Sequence, residues 1–145
     1  MGDLDEVIRK SPVAMLPGTY CVARMLEPPA APQHFMVATD ARETTVIARE
    51  SDLGDLSPVE VRSGYRLIEI RTATPFEGVG FLAAICQAIA NVGLNILVVC
   101  TYSAEYILLK SDEAEIGLAA LARAGFPIHP ERHDRNGPSG PASLS

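Results

Sequence analysis

Two short segments of the sequence carry residue types that could bind a small charged molecule. The first, residues 77–80 (Glu-Gly-Val-Gly), stands where a helix is predicted to begin. Main-chain N–H groups at a helix start lack partners within the helix and attract anions, and glycine lets a ligand approach the backbone closely. The second, residues 101–105 (Thr-Tyr-Ser-Ala-Glu), is a predicted tight turn whose carboxylate suits an ammonium or guanidinium group. Together the two segments predict a site for a molecule that carries both an anionic and a cationic group.

Each segment also has an ordinary structural interpretation. Gly78 and Gly80 could serve only a tight turn between a strand and a helix. Glu77 could act only on the helix dipole, and it would repel a bound carboxylate unless it faced the cationic part of the ligand. The hairpin tip that holds Glu105 could simply be solvated. The residues alone leave these alternatives open.

Signatures of catalysis, metal binding and nucleotide binding are not found. The sequence has no Gly-x-Ser-x-Gly, no Gly-x-x-x-x-Gly-Lys and no His-Glu-x-x-His. The Gly-x-Gly of residues 78–80 lacks the third glycine of a dinucleotide fingerprint. His129 and His133 are four residues apart, but Pro130 argues against the helix that would bring them to one face. We therefore expect no catalytic residue, no metal and no cofactor.

Composition narrows the class of protein. The 145 residues include 12 basic and 18 acidic side chains, a formal net charge of −6, and no basic cluster, which makes nucleic-acid binding an unfavourable interpretation. No apolar run approaches the roughly 20 residues of a membrane span, and the first residues do not resemble a signal peptide. The three cysteines have no Cys-x-x-Cys spacing and are expected to be buried free thiols. We expect a cytoplasmic protein that binds neither nucleic acid nor membrane.

The second half of the chain has the pattern of a split β-α-β sandwich. Strands are predicted over residues 66–72, 95–101, 106–110 and 126–129, and helices over 79–92 and from 112 to 125. The apolar strand 95–101 is expected to be central in its sheet. The stripe formed by Phe81 or Leu82, Ile85, Ile89 and Val92 is expected to face the core, as are Ile116, Ala120 and Leu121.

The first half repeats this pattern in a shortened form. Strands are predicted over residues 19–25, 35–39 and 44–49, and the hairpin 35–47 can be aligned with 97–109 at a constant offset. Pro28, Pro29 and Pro32 stand where the first helix of the repeat would lie. The fold class predicted is therefore α+β, with two ferredoxin-like β-α-β-β-α-β units, of which the first is degenerate and lacks its first helix. The predicted divisions are a lead-in (1–13), the degenerate unit (14–62), the second unit (63–131) and a disordered tail (132–145).

A family resemblance follows from three segments of the second half: residues 74–85 (Thr-Pro-Phe-Glu-Gly-Val-Gly-Phe-Leu-Ala-Ala-Ile), 93–96 (Gly-Leu-Asn-Ile) and 100–110 (Cys-Thr-Tyr-Ser-Ala-Glu-Tyr-Ile-Leu-Leu-Lys). They resemble an ACT domain, in the arrangement of tandem ACT proteins related to aspartate kinase regulatory regions and to the cytosolic arginine sensors. That group usually shows Ser-Thr-Tyr-x-x-Asp-Tyr, and here Glu105 replaces the aspartate. The resemblance implies an amino-acid ligand whose basic groups contact Thr101, Tyr102 and Glu105. We expect the ligand's carboxylate to rest on the N–H groups of residues 78–81. The ligand-binding residues expected are Phe76, Glu77, Gly78, Val79, Gly80, Phe81, Thr101, Tyr102 and Glu105.

The function expected is that of a non-enzymatic regulatory protein that senses an amino acid, forms a homodimer and acts on a protein partner. Two alternatives stay open. The chain could be an interaction or dimerisation module without a ligand. It could also be a small enzyme in which Glu77 or Glu105 acts as a general base.

Overall fold

A computed structural model of the chain describes residues 3–30, 35–54 and 56–130. The helices are α1 Asp3–Arg9, α2 Phe81–Asn91 and α3 Ala114–Arg123, and a 3₁₀ turn covers Glu50–Asp52. The strands are β1 Val13–Met15, β2 Tyr20–Met25, β3 Met36–Thr39, β4 Thr44–Arg49, β5 Glu60–Arg71, β6 Leu97–Thr101 and β7 Ala104–Lys110. The described residues fall into two compact units, one formed by Gly18–Tyr65 and the other by residues 3–17 together with 66–130.

The unit Gly18–Tyr65 is a four-stranded antiparallel sheet with almost no helix. Its strand order is β3-β4-β2 followed by the first residues of β5. This is the order of a ferredoxin-like unit, in which the fourth strand pairs with the first. Residues 26–30 and 35, which are described between β2 and β3, form no helix, and the second helix is reduced to the 3₁₀ turn. One face of the sheet buries a small apolar cluster, against which the loop after the 3₁₀ turn packs. Its buried members are Ala23, Met25, Val46 and Ala48.

The other unit contains the larger hydrophobic core and all three α-helices described. Its sheet has the order β1-β5-β7-β6, and Val13 makes an additional parallel bridge to Ile128. Helices contribute Ile8, Phe81, Ile85, Ile89 and Leu121 to a core that the strands complete. The strand members of this core alternate along the sheet: Ile68 and Ile70 from β5, Ile107 and Leu109 from β7. The predicted α+β class, with two ferredoxin-like units of which the first is degenerate, is confirmed.

Helix α2 begins and ends at glycines because both positions require a left-handed backbone. Gly80 caps the amino end with φ of 85°, and Gly93 follows the carboxyl end with φ of 79°. Between them Phe81, Ile85 and Ile89 are buried at helical spacing, as predicted. Leu82, the alternative to Phe81 in that stripe, is exposed on the outer side of the helix.

Three details differ from the sequence predictions. Strand β6 was expected in the middle of its sheet, but it lies at the edge, beside β7 only. Ile116 was expected in the core, but it is exposed, because α3 turns Gly117 toward Leu109 instead. Helix α3 was predicted to begin at residue 112, but it begins at Ala114, with Glu113 in the cap position and no side chain bonded there.

The predicted divisions also differ from the compact units observed. Ile8 and Val13, in the predicted lead-in 1–13, are buried in the larger core. Ser11 is also buried in this unit, and its hydroxyl accepts a hydrogen bond from the N–H of Ala73 at 3.0 Å. The predicted disordered tail, 132–145, lies outside the described residues.

Candidate functional site

Residues 74–80 lead into α2 as a compact turn, called here the helix-leading turn. Two of its residues have unusual backbone angles. Gly80 has φ of 85°, and Phe76 has φ of 68°, which is rare for a bulky side chain. Local hydrogen bonds hold the turn: Glu77 N–H donates to the Thr74 carbonyl at 3.2 Å, and Phe81 N–H donates to the Gly78 carbonyl at 3.1 Å. A side chain at position 78 would meet the Cβ of Phe81 at 3.2 Å, so any other residue there would require Phe81 to shift by a few tenths of an ångström.

The turn and the first residues of α2 leave five backbone donors without an acceptor in the described part of the chain. They are the N–H groups of Phe76, Gly78, Gly80, Leu82 and Ala83. The N–H groups of Val79 and Phe81, which were predicted to hold a carboxylate, are used within the turn itself. The first turn of α2 contains no acidic side chain, so its positive partial charge is not neutralised locally.

The hairpin between β6 and β7 is tighter than the sequence predicted. Thr101 pairs with Ala104, which leaves only Tyr102 and Ser103 in the turn. Glu105 already belongs to β7 and lies opposite Cys100. The Cys100 thiol donates to Glu105 Oε1 at 2.8 Å, while Oε2 has no bonding partner among the described residues. The hydrogen bond to this carboxylate, aided by burial and by its charge, raises the pKa of Cys100 to about 11.

The helix-leading turn and the hairpin are neighbours. The rings of Phe76 and Tyr102 meet edge to face, with centroids 4.8 Å apart and planes at 79°. Residue 76 follows β5 and residue 102 follows β6, so this contact places the carboxyl ends of both strands at one end of the unit. Both aromatic side chains are nevertheless 79% exposed, and no part of the fold that is described covers them.

The structure brings some of the predicted site residues together at the turn and the hairpin, and it places Phe81 in the core. Gly78 and Gly80 belong to the turn, and Tyr102 and Glu105 belong to the hairpin that contacts it. Phe81 instead points into the core, where its ring packs against Phe126 at 5.7 Å between centroids. The two remaining side chains of the turn, Glu77 and Val79, are exposed, and Thr101 is exposed at the end of β6.

Sequence reasoning missed two members of this region. Thr74 Oγ1 is buried without a hydrogen-bond partner among the described residues, 3.6 Å from where a side chain on Gly78 would begin. Cys100 was expected to be buried, but it is exposed and bonded to Glu105. A threonine before Pro75 and a cysteine directly across the predicted hairpin from Glu105 are the signals that could have drawn attention to them.

A second polar cluster in the same unit was also missed. Glu69 is buried, and its Oε2 accepts from the Tyr106 hydroxyl at 2.7 Å and from Arg71 Nη2 at 2.8 Å. Burial, followed by the bond to Glu69, raises the pKa of Tyr106 to about 12. The Arg71 ion pair offsets the cost of burying the Glu69 carboxylate, so the cluster is readily explained as structural.

The described residues contain neither a cluster of metal ligands nor a membrane-spanning helix. Within residues 3–30, 35–54 and 56–130, no three His, Cys, Asp or Glu side chains are grouped as metal ligands. His133, considered in the sequence as a possible ligand with His129, lies outside those ranges. No helix of the described chain has the length and apolar character needed to cross a membrane.

The arrangement of strands and helices is the ACT-type fold of aspartate kinase regulatory regions, which confirms the predicted resemblance at the level of the fold. The regulatory subunit of aspartate kinase from Thermus thermophilus superimposes with a TM-score of 0.55 and 15% identity, over 77% of this chain and 95% of that one. Protein Atu0741 from Agobacterium tumefaciens gives 0.67 and 21%, over 85% and 95%. Protein VC0802 from Vibrio cholerae, described as a possible transport protein of unknown function, gives 0.68 and 17%, over 85% and 96%. Comparison with family models and with curated protein sequences gives no match.

Proposed function

We propose that this chain is a non-enzymatic regulatory protein that binds an amino acid between the helix-leading turn and the β6–β7 hairpin. The observation that carries the proposal is the contact of Phe76 with Tyr102, which brings unpaired N–H donors and the Glu105 carboxylate to one end of the same unit. The fold shared with a regulatory subunit of aspartate kinase supports a regulatory role.

The two ends of an amino acid would meet complementary groups in this site. The carboxylate would accept hydrogen bonds from Gly80, Leu82 and Ala83, the donors at the start of α2 that have no described acceptor. The ammonium, or a basic side chain, would bond to Glu105 Oε2, the carboxylate oxygen that has no bonding partner among the described residues. A dissociation constant between micromolar and millimolar, about 4–8 kcal/mol, suits a metabolite sensor.

Binding would be transmitted as a change in population. A ligand held at both ends ties the helix-leading turn to the hairpin, and it favours whichever arrangement of the protein keeps these segments together. A protein partner would read this change. We also propose a cytoplasmic location, which agrees with the free thiols Cys21, Cys86 and Cys100.

A second candidate function is that of an interaction module, and the exposed surface near the site favours it. Phe76, Val79 and Tyr102 are largely exposed, and Leu97 is partly exposed on the edge strand β6. An apolar edge of this kind is suited to pairing with another chain, and a second copy in a homodimer is the partner we propose. Sedimentation equilibrium of the wild type and of Leu97→Lys tests this, since a dimer through β6 should dissociate in the variant.

Calorimetric titration with each of the twenty amino acids separates the two functions. We expect one or a few to release heat, and we expect Glu105→Gln to weaken that binding about tenfold or more, because a charge-assisted bond is lost. Glu115→Gln, an exposed first-turn residue of α3, removes the same charge elsewhere and should leave the affinity unchanged. Folded protein that gives no heat with any amino acid would favour the interaction module.

A further inference from the structure

A charged groove lies on the sheet of the smaller unit, Gly18–Tyr65. Cross-strand pairing places Arg24 between Thr45 of β4 and Glu60 of β5. The neighbouring pair is Val22 with Arg62, which lie on the same face because residues two apart on a strand share a face. These side chains line a groove of about 240 Å³.

The charges in this groove are only partly paired. Both Arg24 Nε and Arg24 Nη2 bond to a single oxygen of Glu60, Oε1, at 3.1 and 2.8 Å. Glu60 Oε2 has no bonding partner among the described residues, and Glu43 adds a longer contact to Arg24 at 4.0 Å. Arg62 is exposed, and its guanidinium forms neither an ion pair nor a hydrogen bond with the described residues. The groove thus contains the guanidinium of Arg62 beside the carboxylate of Glu60, of which only one oxygen is bonded.

The spacing of these two groups fits the head of an α-amino acid. Glu60 and Arg62 are two residues apart on one strand, so their Cα atoms lie about 6.6 Å from each other. An amino acid carries its carboxylate and its ammonium on one carbon, and it can bridge two flexible side chains at this separation. A guanidinium binds a carboxylate through two parallel bonds, which no lysine could reproduce. Val22 offers an apolar surface beside them.

We propose that the unit Gly18–Tyr65 holds a second binding site, for an aliphatic α-amino acid, formed by Arg62, Glu60 and Val22. The carboxylate bonds to the Arg62 guanidinium, the ammonium bonds to Glu60 Oε2, and the aliphatic side chain rests on Val22. Arg24 fixes the orientation of Glu60 through the other carboxylate oxygen. The site differs from that of the proposed function, since it uses side chains on a sheet face where the other uses a helix start.

The test is a titration of the full-length, ¹⁵N-labelled protein, followed by NMR at the Nε–Hε signals of Arg24 and Arg62 and at the amide of Thr45. Three probes of matched shape are used: L-leucine, 4-methylpentanoate (which lacks the ammonium) and isopentylamine (which lacks the carboxylate). We expect leucine to shift these signals, 4-methylpentanoate to bind about tenfold more weakly, and isopentylamine to bind more weakly still. Arg62→Met should weaken leucine binding about tenfold or more.

Two controls keep this site distinct from the other. Arg42→Met removes an exposed arginine of the same unit outside the groove, so its leucine affinity should equal that of the wild type. Glu105→Gln should likewise leave the shifts in the groove unchanged. No shift at Arg24, Arg62 and Thr45 with about 10 mM leucine, equal affinities for the three probes, or equal binding by Arg62→Met and Arg42→Met would each overturn the proposal.

Discussion

The Glu105 carboxylate changes the chemistry of the Cys100 thiol across the hairpin. The thiol donates to the carboxylate at 2.8 Å, and this bond is the largest cause of the pKa of about 11 for Cys100. Only a thiolate reacts readily with electrophiles, so the exposed Cys100 should be a poor nucleophile near neutral pH. Its reactivity therefore reports on the charge and bonding of Glu105, the residue proposed to bind the ligand's cation.

Glu105→Gln should make Cys100 easier to alkylate. The substitution removes the bond to a charged oxygen and the repulsion of a thiolate, so the pKa of the thiol should fall toward its ordinary value. Iodoacetamide labelling at pH 8, located by peptide mass spectrometry, should be about tenfold faster or more at Cys100 in the variant. Labelling of Cys86 serves as the internal control, and an unchanged rate at Cys100 would show that Glu105 does not govern this thiol.

The buried Tyr106–Glu69 hydrogen bond should be visible in the pH dependence of stability. The pKa of Tyr106 is raised to about 12, mainly by burial, against about 10 for an unfolded tyrosine. The raised pKa means that its stabilising contribution is fully present below pH 10 and is lost as the pH rises through 12.

Tyr106→Phe tests this contribution. At pH 7 the variant should unfold with a free energy about 1–3 kcal/mol lower than the wild type, because Glu69 loses a donor while it stays buried. Urea denaturation from pH 8 to 12 should show this difference shrinking above pH 10. A difference that stays constant up to pH 12 would mean that the hydroxyl is not protected as the hydrogen bond implies.

At the scale of the elements, the turn that leads into α2 is the most constrained segment near the site. Phe76 has φ of 68°, and Gly80 has φ of 85°. A Cβ atom on residue 80 would point at Leu4 of α1. A left-handed backbone at a bulky residue such as Phe76 persists only where the surroundings hold it in place. Here the Phe76–Tyr102 contact and the packing of α1 against the turn provide that support.

Gly80→Ala and Gly93→Ala form a matched pair at the two ends of α2. Both require a left-handed backbone, which should cost about 1–2 kcal/mol for alanine. A Cβ at position 80 would also lie 3.3 Å from Leu4 Cδ2, whereas position 93 has open space around it. Thermal unfolding should therefore show a larger loss for Gly80→Ala. Equal losses would indicate that the contact with α1 adds nothing to the position of the turn.

The sequence predicts the order of elements better than it predicts their surroundings. Polar-to-apolar periodicity located α2 and the hairpins closely, because these patterns depend on local spacing. The position of β6 could not be read in this way, since an apolar strand at an edge has the same sequence as one at the centre. The burial of Gly117 in place of Ile116 depends on how closely α3 approaches Leu109, which is a tertiary property.

At the scale of the whole molecule, the chain builds two related units of unequal completeness. The unit with all its helices supplies the turn and hairpin of the proposed amino-acid site, and Gly18–Tyr65 keeps the sheet but almost none of the helix. The internal repeat of the sequence predicted this relation. Its constant offset fails at the hairpin turns, where Thr39 pairs with Thr44 but Thr101 pairs with Ala104, so that one turn is two residues longer.

The sequence predicted only part of the candidate site, because local patterns do not determine hydrogen bonds that depend on the folded structure. Glycines at a helix start and a carboxylate at a hairpin are local signals, and they identified the two segments. Which N–H groups stay unpaired depends on the hydrogen bonds that the turn makes with itself, and these use Val79 and Phe81. The bond of Cys100 to Glu105 depends on strand register, which the predicted turn placed incorrectly.

The most direct measurement is an NMR titration of the wild-type amides with the amino acid that releases heat in calorimetry. The account predicts that the largest shifts fall together at Gly80, Leu82 and Ala83 on one side and at Tyr102 and Glu105 on the other, with one dissociation constant. Shifts confined to only one of these segments, or absent from both while the protein remains folded, would contradict the claim that the turn and the hairpin bind one ligand.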